Sequence, residues 1–121
     1  MVSSVVVYTD WSGKSNQIAY YAVKRRNGEK YLYDYGFEPV APYLTSSQGE
    51  MEAALLAMRR FPGAEIRTDC MHVVRKMPSY VSVSHVKGHS GIAGNEHADY
   101  LARNGKLHPD YRGYHNHYRN Y

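Results

Sequence analysis

A chain of 121 residues, 43% of them hydrophobic and 21% charged, has the size of one domain and enough apolar side chain for a core, which excludes disorder along its whole length. A formal charge of +4 and a pI near 9.2 draw it toward polyanions, although charge alone does not make a nucleic-acid binder. Cys70 is the only cysteine, so an internal disulfide is excluded, and neither a secretory leader nor an apolar run of membrane-spanning length is legible.

These totals lead us to expect a soluble, cytoplasmic protein with no membrane partner. Val5-Val6-Val7-Tyr8 has the β-branched pattern of a strand buried on both faces, ending at Thr9-Asp10 ahead of a polar turn from Ser12 to Asn16. Ile18 to Arg25 reads as a second strand. Asn27-Gly28 then gives a hairpin, because a type I′ turn needs positive φ at both central residues. Tyr31, Tyr33, Tyr35 and Phe37 alternate with Leu32 and Asp34 in a third strand, closed by Pro39 and Pro42. Thr45-Ser46-Ser47 can cap a helix, with Gln48 or Glu50 at capping-box distance, and that helix stops near Arg60 before Pro62-Gly63. Ala64 to Thr68 is a fourth strand, Met71 to Lys76 a short helix, and Val81 to His85 a fifth strand. After the loop Lys87-Gly88-His89-Ser90-Gly91, a last helix runs from about Asn95 to Arg103. The expected fold is α/β, a five-stranded mixed sheet in the order β-β-β-α-β-α-β-α flanked by helices. Residues 1–104 form the domain. Residues 105–121, rich in Tyr, His and Arg, read as a C-terminal tail.

Asp10 and Asp69 each follow a threonine at the end of an expected strand. A strand–helix–strand crossover makes those strands parallel neighbours, which sets the two carboxylates side by side at one sheet edge. Close carboxylates repel, so such a pair shares a proton or binds a cation. Taken singly, either aspartate reads more simply as a cap for the segment that follows. On the first long helix the apolar stripe is expected at Met51, Ala54, Leu55, Met58 and Phe61. Glu50 lies at its margin, able to reach over the sheet end, and Glu52 lies on the water side. In the last helix Ala98, Leu101 and Ala102 form the apolar face with Asp99 at its flank, a position that by periodicity alone fits a solvated aspartate better than a ligand. His89 stands in a glycine-rich loop where it can transfer protons if acidic ligands are near. His97 reads as a residue of the polar helix face. No zinc spacing, P-loop or nucleophile elbow is present. Four carboxylates suit hard cations, Mg²⁺ or Mn²⁺ best, and two such ions roughly 3.5–4 Å apart would clamp the attacking and leaving oxygens of a phosphodiester.

These residues closely resemble the type 1 ribonuclease H family. The resemblance rests on Tyr8-Thr9-Asp10, on Gln48-Gly49-Glu50 leading into Ala53-Ala54-Leu55-Leu56-Ala57-Met58, and on Ile66-Arg67-Thr68-Asp69-Cys70. It is strongest from Val86-Lys87-Gly88-His89-Ser90-Gly91 through Asn95-Glu96-His97-Ala98-Asp99 to Arg103, and overall it covers about residues 4–104. It implies a ribonuclease H-like fold and endonucleolytic hydrolysis of the RNA strand of RNA–DNA hybrids, giving 5′-phosphate and 3′-hydroxyl ends. It assigns two Mg²⁺ ions, with Mn²⁺ as substitute, to Asp10, Glu50, Asp69 and Asp99. Asp10 would bridge the ions, Asp99 would complete the site of the ion that activates water, and His89 would assist proton movement or product release. Ser12, Gly13 and Asn16 would contact RNA, and Thr45 and Gln48 would lie near the DNA strand. A monomer is assumed, in the cytoplasm or in a host cell's cytoplasm for a viral or phage chain.

The chain departs from that pattern at three places. Trp11 stands where many members have glycine, and Ser46-Ser47 replaces the common asparagine pair. The short stretch between Asp69 and the fifth strand leaves no room for the basic protrusion with which some members grip the hybrid. The tail's tyrosines and arginines can supply stacking and phosphate contacts instead, or form a solubilising end. Two other readings are a non-catalytic module of the same fold that binds hybrid or RNA, and a nuclease of DNA junctions, against which the His89-to-Asp99 segment argues.

Overall fold

The computed structural model describes residues 4–109 and 111. Its elements are β1 (Val6–Ser12), β2 (Gln17–Arg26), β3 (Glu29–Pro39), α1 (Ser46–Arg60), β4 (Glu65–Thr68), α2 (Met71–Lys76), β5 (Val83–His85) and α3 (Ala93–Asn104). The sheet order is β3-β2-β1-β4-β5, antiparallel through the opening meander and parallel from β1 through β4 to β5. This is the mixed five-stranded α/β architecture of a ribonuclease H-like fold. Asn27 and Gly28 adopt φ of 52° and 81°, both in the left-handed region that a two-residue I′ hairpin requires.

Each face of the sheet has its own core. Val5, Val7, Ile18, Tyr20, Ala22 and Ile66 pack under α1, with Val73 of α2 in the same cluster. Tyr8, Ala19, Tyr21 and Val23 pack under Ala98, Leu101 and Ala102 of α3. Alternation along β1 divides these residues between the two layers, as the two-residue period of a strand requires.

Several local expectations need correction. β1 does not end at Asp10; it continues through Trp11 and Ser12, paired only with β2, because β4 has already stopped. β5 begins at Val83 rather than Val81, since the Val81 N–H is taken by the Pro78 carbonyl at 3.0 Å in a turn and cannot join the ladder. α3 begins at Ala93, ahead of Asn95, its first turn closed by Glu96 N–H onto the Ile92 carbonyl at 3.0 Å. The α1 stripe is rotated: Gly49, Glu50, Ala53, Ala54, Leu56 and Ala57 are buried, while Met51, Leu55 and Met58 are half-buried. Small residues let this helix sit close to the sheet, and the larger ones splay to its sides.

The aromatic alternation of β3 is broken by a bulge. Ala22 pairs with Asp34 but Val23 pairs with Leu32, so Tyr33 is the extra residue. Tyr33 therefore turns toward Phe61 of the α1 layer, with ring centroids 6.3 Å apart. Tyr35 and Phe37, paired with Tyr21 and Ala19, belong to the α3 side.

His97 is not on a polar face; it is 1% exposed and stacks on Tyr21 with centroids 4.4 Å apart. Beyond Gly105, Leu107 packs against the α3-side core and the His108 ring meets Tyr100 at 4.6 Å, which widens the covered arc of α3. Residues 110 and 112–121, and with them most of the expected tail, lie outside the described residues. Among the described residues, no helix is long and apolar enough to cross a membrane.

Candidate metal centre

The parallel register of β1 and β4 pairs Tyr8 with Arg67, so two residues further along each chain Asp10 stands level with Asp69. Both lie where the sheet opens, because β1 runs on beside β2 while β4 has ended. α1 crosses this opening with its first turns. Its N-terminus is fixed by a capping box in which Gln48 N–H donates to Thr45 Oγ1 at 3.2 Å and Thr45 N–H donates to Gln48 Oε1 at 2.9 Å. Glu50, one turn on, is thereby placed over the sheet end. Its first turn lies close to the sheet because Gly49 has no Cβ: an added one would stand 2.4 Å from the Trp11 indole.

One carboxylate oxygen from each of Asp10, Glu50 and Asp69 lies within 4.8 Å of the other two. Asp10 is 6% exposed and Glu50 8% exposed. Asp10 Oδ1 accepts the Trp11 N–H at 2.8 Å. Glu50 Oε1 is buried with no hydrogen-bond partner among the described residues. Burial raises the Asp10 carboxyl to about 8, with the Asp69 and Asp99 charges adding to the shift. Burial, then Asp10 and Asp69, raise Glu50 to about 10. Burial and Asp99 raise Asp69 as well, against the opposing pull of His89 and His85.

A second trio adjoins the first. Donor atoms of His89, Glu96 and Asp99 also lie within 4.8 Å of one another. Asp99 connects the two groups through the charge it places on Asp10 and Asp69, and it is held by Arg103 at 3.0 Å. His89 stands on an exposed loop at φ 54°, between Gly88 and the left-handed Gly91. Gly88 passes so near that a Cβ there would lie 2.9 Å from Asp69 Oδ2. Glu96 was not singled out by the sequence reading. It sits three residues before Asp99, the spacing that puts two helical side chains on one face, so the signal was available.

Hard divalent cations fit this donor set. The carboxylates are oxygen ligands, three of them converge, and the buried unpartnered Glu50 oxygen together with the raised carboxyls marks a site that needs positive charge. The RNase H family pattern matches residues 74–106, the stretch that carries His89, Glu96 and Asp99. The likeness to RNase H is thus shown for the stretch from the end of α2 through α3. The comparison with curated proteins returned no match. Asp10, Glu50 and Asp69 precede the segment matched to RNase H and reach it through the topology of β1, α1 and β4.

The remaining residues read from the resemblance lie at the end of β1, in the β1–β2 turn and at the start of α1. Ser12 is buried and its Oγ accepts the Ser15 N–H at 3.2 Å. Gly13 lies against the Trp11 ring, where a Cβ would meet it at 2.7 Å. Asn16 has φ 52°, and its carbonyl accepts the Val40 N–H at 2.9 Å, which ties the β1–β2 turn to the end of β3. Thr45 and Gln48 are exposed, and both serve the capping box. The same turn holds the end of α3, since Ser15 Oγ donates to the Arg103 carbonyl at 2.7 Å and Gln17 Nε2 to the Ala102 carbonyl at 3.1 Å.

Proposed function

We propose that this chain is a metal-dependent endoribonuclease that hydrolyses the RNA strand of RNA–DNA hybrids, leaving 5′-phosphate and 3′-hydroxyl ends. The observation that carries the reading is the meeting of Asp10, Glu50 and Asp69 with the adjoining His89, Glu96 and Asp99 at one open sheet end. Mg²⁺, or Mn²⁺ in its place, supplies when bound the Lewis acidity that clamps the attacking and leaving oxygens of a phosphodiester.

Asp10, Glu50 and Asp69 hold the cations in this reading, and Asp99 extends the site on the α3 side. Ionisation of the buried Asp10 and Glu50 and of the half-buried Asp69 becomes more favourable when that charge is offset, so binding of metal and loss of their protons are linked. His89, on its exposed loop beside Asp69 and Asp99, accepts or returns a proton at an imidazole nitrogen. Ser12, Gly13 and Asn16 meet the RNA strand, whose 2′-hydroxyls distinguish it from DNA. Thr45 and Gln48 meet the DNA strand. The Gln48 amide has two donors left after its Oε1 enters the cap, and the Thr45 hydroxyl still has its own proton.

A second reading, a hybrid-binding module without turnover, is favoured by one feature: α2 is a single six-residue helix, with no second helix to grip a duplex. Cleavage of a labelled hybrid in Mg²⁺ and in Mn²⁺, with duplex DNA and duplex RNA alongside, separates the two readings. The enzyme reading expects cleavage of hybrid alone, dependent on metal. Asp10→Asn should lower the rate by at least about a hundredfold, the scale on which loss of an electrostatic anchor at a reacting centre acts. Hybrid binding without cleavage in either metal would overturn it in favour of the module.

A further inference from the structure

One side chain beside the carboxylates touches both segments that the proposed function places on opposite strands of the hybrid. Trp11 follows Asp10 directly on β1, pairs with Ile18 of β2 and packs against the core under α1. Its indole is half-buried and lies against both the β1–β2 turn and the first turn of α1. At the turn, a Cβ on Gly13 would stand 2.7 Å from Cη2 and 2.9 Å from Cζ2, the far end of the ring system. At the helix, a Cβ on Gly49 would collide with Cδ1, Cδ2 and Cε2, at its near end. Bare backbone from two separate elements is therefore laid against one rigid ring.

Shape holds the indole there. Its Nε1 is buried with no hydrogen-bond partner among the described residues. A buried donor left unpaired costs stability, so packing rather than hydrogen bonding keeps the ring in place. Apart from the ring, the two segments are anchored to different parts of the fold. The Asn16 carbonyl accepts the Val40 N–H at 2.9 Å, and Ser15 Oγ donates to the Arg103 carbonyl at 2.7 Å. Thr45 and Gln48 bond to each other across the start of α1. A close-packed ring does not compress, so its dimensions limit how near the turn and the helix start can come.

We propose that Trp11 is a positioning residue: its ring fixes the separation between residues 12–16 and residues 45–48, and that separation selects an RNA–DNA hybrid over duplex RNA and duplex DNA. The inference rests on the proposed function, in which the first segment meets the RNA strand and the second the DNA strand. The minor groove between the strands is narrow in B-form DNA and wide in A-form RNA. Two grips at a set distance fit one kind of duplex, and grips free to drift fit several about equally.

Competition binding in Mg²⁺ tests it, with hybrid, duplex RNA and duplex DNA of one sequence on the Asp10→Asn chain, whose RNA strand survives. Adding Trp11→Ala should lower the preference for hybrid over duplex RNA by about tenfold or more, as misplacement of a positioning group does. Trp11→Phe, with a ring of smaller reach, should fall between the two. A loss of folded chain would weaken all three ligands alike, so the ratio reads spacing and not stability. Gly13→Ala keeps the indole but pushes the turn away from it, and it should lower the same ratio. An unchanged ratio in Trp11→Ala, or in Gly13→Ala where Trp11→Ala does not fold, overturns the proposal and leaves the proposed function standing. An Asp10→Asn chain with no preference for hybrid overturns that function and this inference together.

Discussion

Glu50 keeps an acid group where water barely reaches it, beside two more acids. Burial and the charges of Asp10 and Asp69 raise its pKa to about 10, and burial raises Asp10 to about 8. A carboxyl whose folded pKa exceeds its unfolded value binds more protons in the folded state. Its stabilising effect is therefore full below the unfolded pKa, near 4, and is lost as pH rises through the folded value. In chelator, these two groups should make the protein lose stability between about pH 5 and pH 8. Glu50→Gln removes the larger cost. Its melting temperature in chelator should exceed that of the unmodified chain by about 3–8 °C at pH 8, with little difference at pH 5. Added Mg²⁺ should raise the unmodified chain at pH 8 and raise the variant less. Thermal melts at the two pH values check this, and parallel curves for the two proteins would show that Glu50 is not confined with its neighbours. At this scale the sequence was informative where a residue ends an element. Asp69 follows from the end of β4, and Asp10 from the same threonine–aspartate pattern although β1 runs on to Ser12. Glu50 follows from its place on α1, although it is buried rather than at the margin of the stripe. Glu96 follows from the same i, i+3 spacing that makes Asp99 a candidate. The burial of His97 does not follow, because an imidazole in a polar-looking helix is covered only by what folds over it, here Tyr21 and the chain after Gly105.

At the scale of elements, turn chemistry and caps are local and were legible. Asn27-Gly28 dictates its hairpin, Thr45 with Gln48 dictates the start of α1, and the strand runs dictate the meander. What escaped was decided by contact between elements. The α1 stripe is phased by the close approach that Gly49, Ala53 and Ala57 permit. The bulge at Tyr33 is set by pairing against β2, and nothing in the β3 sequence marks it. α3 starts early because Gly94 lets the helix settle onto the Tyr8 ring, a reason that outweighs glycine's poor helix propensity. The Tyr8 ring is fully buried, and a Cβ at Gly94 would stand 2.2 Å from it. Gly94→Ala should therefore cost about 1–3 kcal/mol by overpacking, despite alanine's better propensity. Urea denaturation reads the sign directly. A stabilised variant would mean that propensity decides this turn and that the ring yields easily.

Across the whole molecule, the proposed cleavage requires a polyanion held over the carboxylate centre, and the described body offers few cations for the task. α2 contributes Arg75 and Lys76, both exposed, and the loops beside the centre contribute Lys14 and Lys87. About four phosphate contacts would give binding a salt slope of about −3.6, shallow for a duplex-binding protein. Residues 112–121 add Arg112 and Arg119, with Tyr114, Tyr118 and Tyr121 available for stacking. If these arginines reach the hybrid, deleting residues 112–121 should flatten the slope by about 1.8, from two fewer released counterions, and weaken binding at low salt. Hybrid affinity measured for both chains across a salt series, using the Asp10→Asn form so that the RNA strand survives, makes the comparison. An unchanged slope would assign the grip to the body alone. In that case Lys14, Arg75, Lys76 and Lys87 account for all of it, and each changed to Gln should flatten the slope by about 0.9.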